Sequence, residues 1–198
     1  MRVLISCEHS GVVRDKFIEA GYHATSCDIL PTESPGPHYL GDVRDILDEG
    51  WDMMIAFPPC THLCGSGARW WPYKVKEQEE ALDFISLLLD APIPKVALEN
   101  PVGVISSRVR EPDQIIQPYQ FGHNASKRTC LWLKNLPLLI PTKLVAGKFV
   151  NGNMRWANQS KSGQNNEPGS WGQGKRRSRT YSGIADAFVS QWGEHESF

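Results

Sequence analysis

Apolar side chains along this chain follow two rhythms, short continuous runs and a three-to-four-residue spacing, and the two alternate. Arg2–Ser6 (RVLIS) is a compact apolar run ending in the polar turn Glu8-His9-Ser10-Gly11, which predicts a strand. Val12–Ala20 returns to helical spacing, with Val13, Phe17 and Ala20 on one face and Gly21 as the stop. His23–Cys27 (HATSC) reads as a second strand closed by Asp28, and Gly41-Asp42 leads into a short helix around Val43–Asp48. Asp52–Ala56 (DMMIA) predicts a third strand running into Phe57-Pro58-Pro59-Cys60. Lys76–Leu89 is amphipathic, with Ala81, Leu82, Ile85, Leu88 and Leu89 at helical spacing, and Lys95–Leu98 (KVAL) is a fourth strand before Glu99-Asn100-Pro101. Thr129–Leu133 (TCLWL) reads as a further strand, and Ile184–Trp192 as a closing helix.

Strands alternating with helices predict an α/β fold around a mainly parallel sheet. Ligands of such sheets bind outside the carboxyl ends of the strands. Glu8, Asp28, Asp42, Cys60 and Glu99 all fall at or near such ends, so residues scattered in sequence are expected to cluster in space. The 198 residues suit one compact domain. No apolar run approaches the roughly 18 residues of a membrane span, and the opening run is too short for a secretory signal, so a cytoplasmic protein is expected. Five cysteines, an odd number, argue for reduced thiols rather than a disulfide framework. The net charge of -1 gives no global attraction to nucleic acid. Locally the balance differs: 143–179 carries Lys143, Lys148, Arg155, Lys161, Lys175, Arg176, Arg177 and Arg179 against the single acid Glu167. That segment is also rich in Gly, Asn, Ser and Gln, which reads as a solvated loop unless Trp156 and Trp171 stack on bases.

Two features carry candidate chemistry. Pro58 and Pro59 stiffen the backbone and hold Cys60 in a fixed orientation, which suits either a nucleophilic thiol or a structural turn that happens to precede a cysteine. Glu99 follows a buried strand, where a partly desolvated carboxyl serves as an acid or hydrogen-bond donor, or merely caps the next turn.

Taken in order, four segments resemble the cytosine carbon-5 DNA methyltransferases, with a small, phage-type relative in view. Cys27-Asp28 and Gly41-Asp42-Val43-Arg44-Asp45 resemble the family's cofactor-binding acids, and Asp52–Cys60 its Pro-Cys catalytic loop. Ala97–Gly103 (ALENPVG) resembles its Glu-Asn-Val segment, and Phe121–Leu133 its arginine-bearing segment before a strand. The resemblance implies a Rossmann-like methyltransferase fold, S-adenosylmethionine as cofactor, and DNA as partner. It implies that Cys60 adds to carbon 6 of the base, that Glu99 holds N3, and that Arg128 fixes the base or the Cys60 loop. It further implies cofactor contacts from Ser6, Cys7, Glu8 and Gly11 around the methionine part, from Asp28 at the ribose and Asp42 at the adenine amino group, and from Ile29, Val43 and Pro58. Lys175, Arg176, Arg177 and Arg179 would meet the nucleic acid.

The chain departs from the family pattern in several places. Ser6–Gly11 replaces the usual glycine-rich first loop, Thr61 stands where glutamine is usual after the cysteine, Pro101 stands for valine, and a separate target-recognition domain is missing. The expected organisation is a catalytic domain over 1–141, a basic insertion over 142–180, and a closing helix and tail of the same domain over 181–198. Two other readings stay open: an inactive nucleic-acid binder or a relative acting on another pyrimidine, and a small zinc protein. For zinc, Cys60, His62 and Cys64 would be joined by His123 or Cys130.

Overall fold

The computed structural model describes residues 1–165 and 179–193. Seven strands form one sheet: β1 (Arg2–Ser6), β2 (His23–Asp28), β3 (His38–Leu40), β4 (Met53–Ala56), β5 (Lys95–Pro101), β6 (Gln114–Ile116) and β7 (Thr129–Lys134). Their order is β3-β2-β1-β4-β5-β7-β6, and all neighbours up to β5 are parallel. β7 runs antiparallel to both β5 and β6. The α/β class with a mainly parallel, Rossmann-like sheet is therefore as expected.

Helices α1 (Val12–Glu19), α2 (Val75–Leu89), the single turn α3 (Ile105–Arg108) and α4 (Ser182–Trp192) accompany the sheet. A parallel sheet covered on both faces needs continuous apolar strands, and β1 and β4 provide them. Leu4, Met54, Val96, Leu98 and Trp132 face one way, onto Leu82, Ile85 and Leu88 of α2. Val3, Ile5, Met53, Ile55, Ala97 and Leu131 face the other, onto Val13 and Phe17 of α1 and Ile184 and Phe188 of α4.

Some local expectations change. Val43–Asp45 is one 3-10 turn rather than a helix reaching Asp48, because Asp42 caps it at Arg44 N and the chain leaves it at Ile46. On α1, Ala20 is exposed and Arg14 is fully buried instead. The Arg14 guanidinium finds acceptors in the Asp15 carboxylate, in the Ser26 hydroxyl on β2, and in the Thr32 hydroxyl and the Ser34 and Pro35 carbonyls of the chain that follows β2. β5 extends three residues beyond its pairing with β4 and takes Glu99 into the strand. Segment 143–165 is not a loose loop: β8 (Lys148–Val150) and β9 (Asn153–Arg155) form a hairpin. No helix among the described residues is long and apolar enough to cross a membrane.

Candidate active site

The sheet register sets the site. Ser6 pairs with Cys27 and with Ala56, and Ala56 pairs with Leu98, so these four residues form a row across β2, β1, β4 and β5. Each next residue (Cys7, Asp28, Phe57 and Glu99) leaves the same edge. The strand order reverses at β1 and β4, which is where an open α/β sheet forms its crevice. Because β7 is reversed, its entry at Lys127–Thr129 lies at this edge too, with Thr129 opposite Pro101. In the antiparallel register Glu99 faces Leu131, and Thr129, two residues away, projects from the same side.

The Cys60 loop is held from below. Pro58 is buried and its carbonyl accepts from the Asn100 side-chain amide at 2.9 Å. Leu63 and Cys64 N–H groups close back on the Cys60 carbonyl at 3.0 Å, and Val104 N–H donates to the Leu63 carbonyl at 2.8 Å. The approach at Gly103 is so close that a Cβ there would lie 2.0 Å from the Leu63 oxygen, so this position admits only glycine. The Gln78 amide adds a bond to the His62 carbonyl at 2.9 Å. Cys60 is thereby fixed while its thiol stays half-buried.

Charge links the three groups at this edge. Burial pushes the Cys60 thiol up, and the hydrogen-bonded Cys64 thiol and the Glu99 carboxylate push the same way, while Lys127 pulls it down. Burial likewise raises the Glu99 carboxyl above the usual range, opposed by Lys127 and by a hydrogen bond from Thr129. Glu99, Lys127 and Thr129 line a pocket together with Arg179, Thr180 and Tyr181 before α4 and Ile184 and Phe188 on it.

Cys60 and Glu99 are thus brought together. Arg128 is exposed and its charge falls on Cys130, on the other side of the sheet, whereas Lys127 is the cation that reaches Cys60 and Glu99. Sequence reasoning passed over Lys127 and Thr129. Thr129 is the first residue of β7, and its place beside Glu99 follows only from the register against β5, while Lys127 lies two residues before that strand, where no local pattern marks it.

A second group of residues gathers at the ends of β1, β2 and β3. Cys7 turns the chain with a positive φ of 57°, and burial drives its thiol far up. Ser6 is fully buried, with its hydroxyl unpartnered. Gly11 opens α1 in the left-handed conformation. The buried Glu8 carboxylate accepts from Val13 and Arg14 N–H at 2.8 and 3.3 Å, so it caps α1, and burial raises it despite these bonds. Asp28 accepts from Leu30 N–H, with His9 Nδ1 at 3.8 Å, and is followed by Ile29, 77% exposed. Leu40, its neighbour in register, is 60% exposed. Asp42 pairs with Arg44 at 2.9 Å, and Val43 is buried behind it.

The metal-ligand set does not assemble. His123 Nε2 accepts from Gly183 N–H, Cys130 is buried in the core, and no group of three candidate ligands exists among the described residues. Trp156 stacks on Tyr119 at 4.1 Å and donates to the Val145 carbonyl, so it is committed to the fold. Lys175, Arg176, Arg177 and Trp171 lie outside the described residues. Arg179 is ion-paired with Glu33, whose other oxygen lies 3.6 Å from His9.

No model of a known protein family matches the sequence, and no curated protein matches it. Among solved structures, 41 chains match. One is the crystal structure of a candidate DNA modification methyltransferase encoded within an E. coli prophage, similar at 13% identity and a TM-score of 0.48. The match covers 75% of this chain and 53% of that one, so the present chain spans about half the length of that protein.

Proposed function

We propose that this chain is an S-adenosylmethionine-dependent methyltransferase that places a methyl group on carbon 5 of cytosine in DNA, through a covalent bond from Cys60. One observation carries the reading: the Cys60 loop is fixed on Asn100 and on the turn after it, next to Glu99 at the end of β5, at the same sheet edge to which the reversed β7 brings Thr129. The ordered resemblance of four segments to the cytosine carbon-5 family supports it.

Residues at the first three strand ends fit the cofactor. The unpartnered Ser6 hydroxyl, the Asp28 and Asp42 carboxylates, and the exposed Ile29 and Leu40 combine hydrogen-bonding groups with an apolar platform, which suits a nucleoside. When bound, that cofactor supplies the electrophilic methyl group. Glu8 serves the site by fixing the turn and α1, since its oxygens are already occupied by backbone N–H groups.

The Cys60 Sγ bonds to carbon 6 of the ring. Glu99, whose hold on a proton burial strengthens, presents that proton to N3 and so limits the negative charge that addition creates. Carbon 5, made electron-rich by that addition, is where the bound cofactor's methyl group would be accepted; the carbon-5 proton would then pass to water and the N3 proton return to Glu99 as the Sγ–C6 bond breaks, which releases the Cys60 thiolate and restores the aromatic ring. Lys127 favours the thiolate and takes the positioning role that the family resemblance gave to Arg128, while the Thr129 hydroxyl orients Glu99. A duplex substrate must present the base flipped from the stack. Residues 1–141 and 181–193 make the catalytic body, with α4 supplying part of the pocket wall.

Mass spectrometry of nucleosides tests this reading. DNA from cells expressing the protein should gain 5-methyl-2′-deoxycytidine, and DNA from cells expressing Cys60→Ala should not. An unchanged nucleoside profile with the wild-type protein, or methylation by Cys60→Ala, would overturn it.

A further inference from the structure

The β8–β9 hairpin has no role in the site just described, yet its composition and placement are specific. Its turn, Asn151-Gly152, has φ of 49° and 77°, the two positive values that a tight two-residue hairpin turn requires. Phe149 and Met154 are direct register partners, so their side chains share one face, and they are 73% and 40% exposed. Lys148 and Arg155 are the next pair and share the opposite face. Over 142–165 the chain carries Lys143, Lys148, Arg155 and Lys161 and no acid, in a protein whose net charge is -1. A two-stranded ribbon with an exposed aromatic face is marginal by itself, so its stability comes from its base.

That base is tied to the pocket. Trp156 stacks on Tyr119, Gly122 and Val145 N–H donate to the Lys143 and Tyr119 carbonyls, and Ala157 N–H donates to the Asn124 side chain at 3.0 Å. Asn158 exchanges two bonds with the backbone of Ser126, at 2.8 and 2.9 Å, and Ser126 immediately precedes Lys127. The hairpin is therefore carried rigidly on the segment that brings Lys127 to Glu99.

We infer that Phe149 and Met154 form a base-contacting ridge that enters stacked duplex DNA beside the target base, while Lys143, at the base of the hairpin, and Lys148, on its other face, add the positive charge that draws in the phosphate backbone. This rests on the proposed reaction, because an enzyme that flips a base must separate it from its neighbours. Apolar side chains borne on a basic element do this by wedging between base steps. The cationic, acid-free stretch selects a polyanion over an apolar protein surface.

The test measures binding of a mixed-sequence DNA duplex carrying 2-aminopurine next to cytosine, by anisotropy and by 2-aminopurine fluorescence. Wild-type protein should bind with strong salt dependence and raise the fluorescence. The double variant Phe149→Ser/Met154→Ser should bind about tenfold more weakly and lose the rise, with thermal unfolding and Cys60 alkylation unchanged. Lys148→Glu should weaken binding and reduce the salt slope by about one. Wild-type affinity and fluorescence in the double variant, or no duplex binding by the wild-type protein, would overturn the inference. The reaction and the ridge fail separately: absent methylation defeats the Cys60 mechanism, while full methylation and binding by the double variant defeat the ridge.

Discussion

At the residue scale the account is one of opposed charges. Glu99 and Lys127 push the Cys60 thiol in opposite directions, so replacing each should move it oppositely. The pH profile of Cys60 alkylation should shift to lower pH in Glu99→Gln, which removes a negative neighbour, and to higher pH in Lys127→Met. Identical profiles in all three proteins would separate the groups. Glu99 also has a stability consequence. Its carboxyl is raised in the folded state, so the folded protein holds that proton more tightly than the unfolded chain. Stability from this group is present at low pH and declines as pH climbs through the raised value. Glu99→Gln should then unfold a few °C above wild type near pH 8, roughly what 1 kcal/mol gives a domain of this size, with the gap closing toward pH 4. That variant should be stabler and yet about a hundredfold slower or worse. Cys60 and Glu99 were legible in the sequence because each follows an apolar strand and carries distinctive neighbours. Lys127 was not, since it precedes β7 and stands beside Arg128, and no local pattern marks which of the two cations acts on the carboxyl.

At the element scale, two loops from different strands make one rigid support. The Asn100 amide holds the Pro58 carbonyl, and Gly103 lets the next turn lie against Leu63 and Cys64. Gly103→Ala must push that backbone apart, which should cost about 1–3 kcal/mol. Differential scanning calorimetry should show the lower midpoint, and Cys60 alkylation should change rate because the loop moves. An unchanged midpoint and rate would mean that the two loops are not coupled. The long strands and α2 were legible from apolar runs and helical spacing. β3 and β6 were not, being three-residue edge strands with too little pattern to read. The β8–β9 hairpin did leave a signal, Asn-Gly between Phe149-Val150 and Met154. The polar, glycine-rich composition around it masked that signal.

At the scale of the whole molecule, function follows from a sheet whose strand order reverses at β1 and β4 and whose β7 runs backwards. The reversal opens a crevice, and the parallel register lines up the residues that follow Ser6, Cys27, Ala56 and Leu98 along it. The backward strand delivers Lys127 and Thr129 to the same edge, and the segment before α4 closes the pocket from the other end of the chain. Clustering at the strand ends was foreseeable from the α/β alternation alone. The reversed strand and the closing wall depend on long-range pairing that no local pattern encodes. The central claim, that Cys60 attacks a ring held by Glu99, is tested most directly by trapping. Wild-type protein incubated with S-adenosylmethionine and DNA containing 5-fluorocytosine should form a denaturation-resistant adduct that maps to Cys60 by peptide mass spectrometry. No adduct with the wild-type protein, or one that persists in Cys60→Ala, would contradict the account.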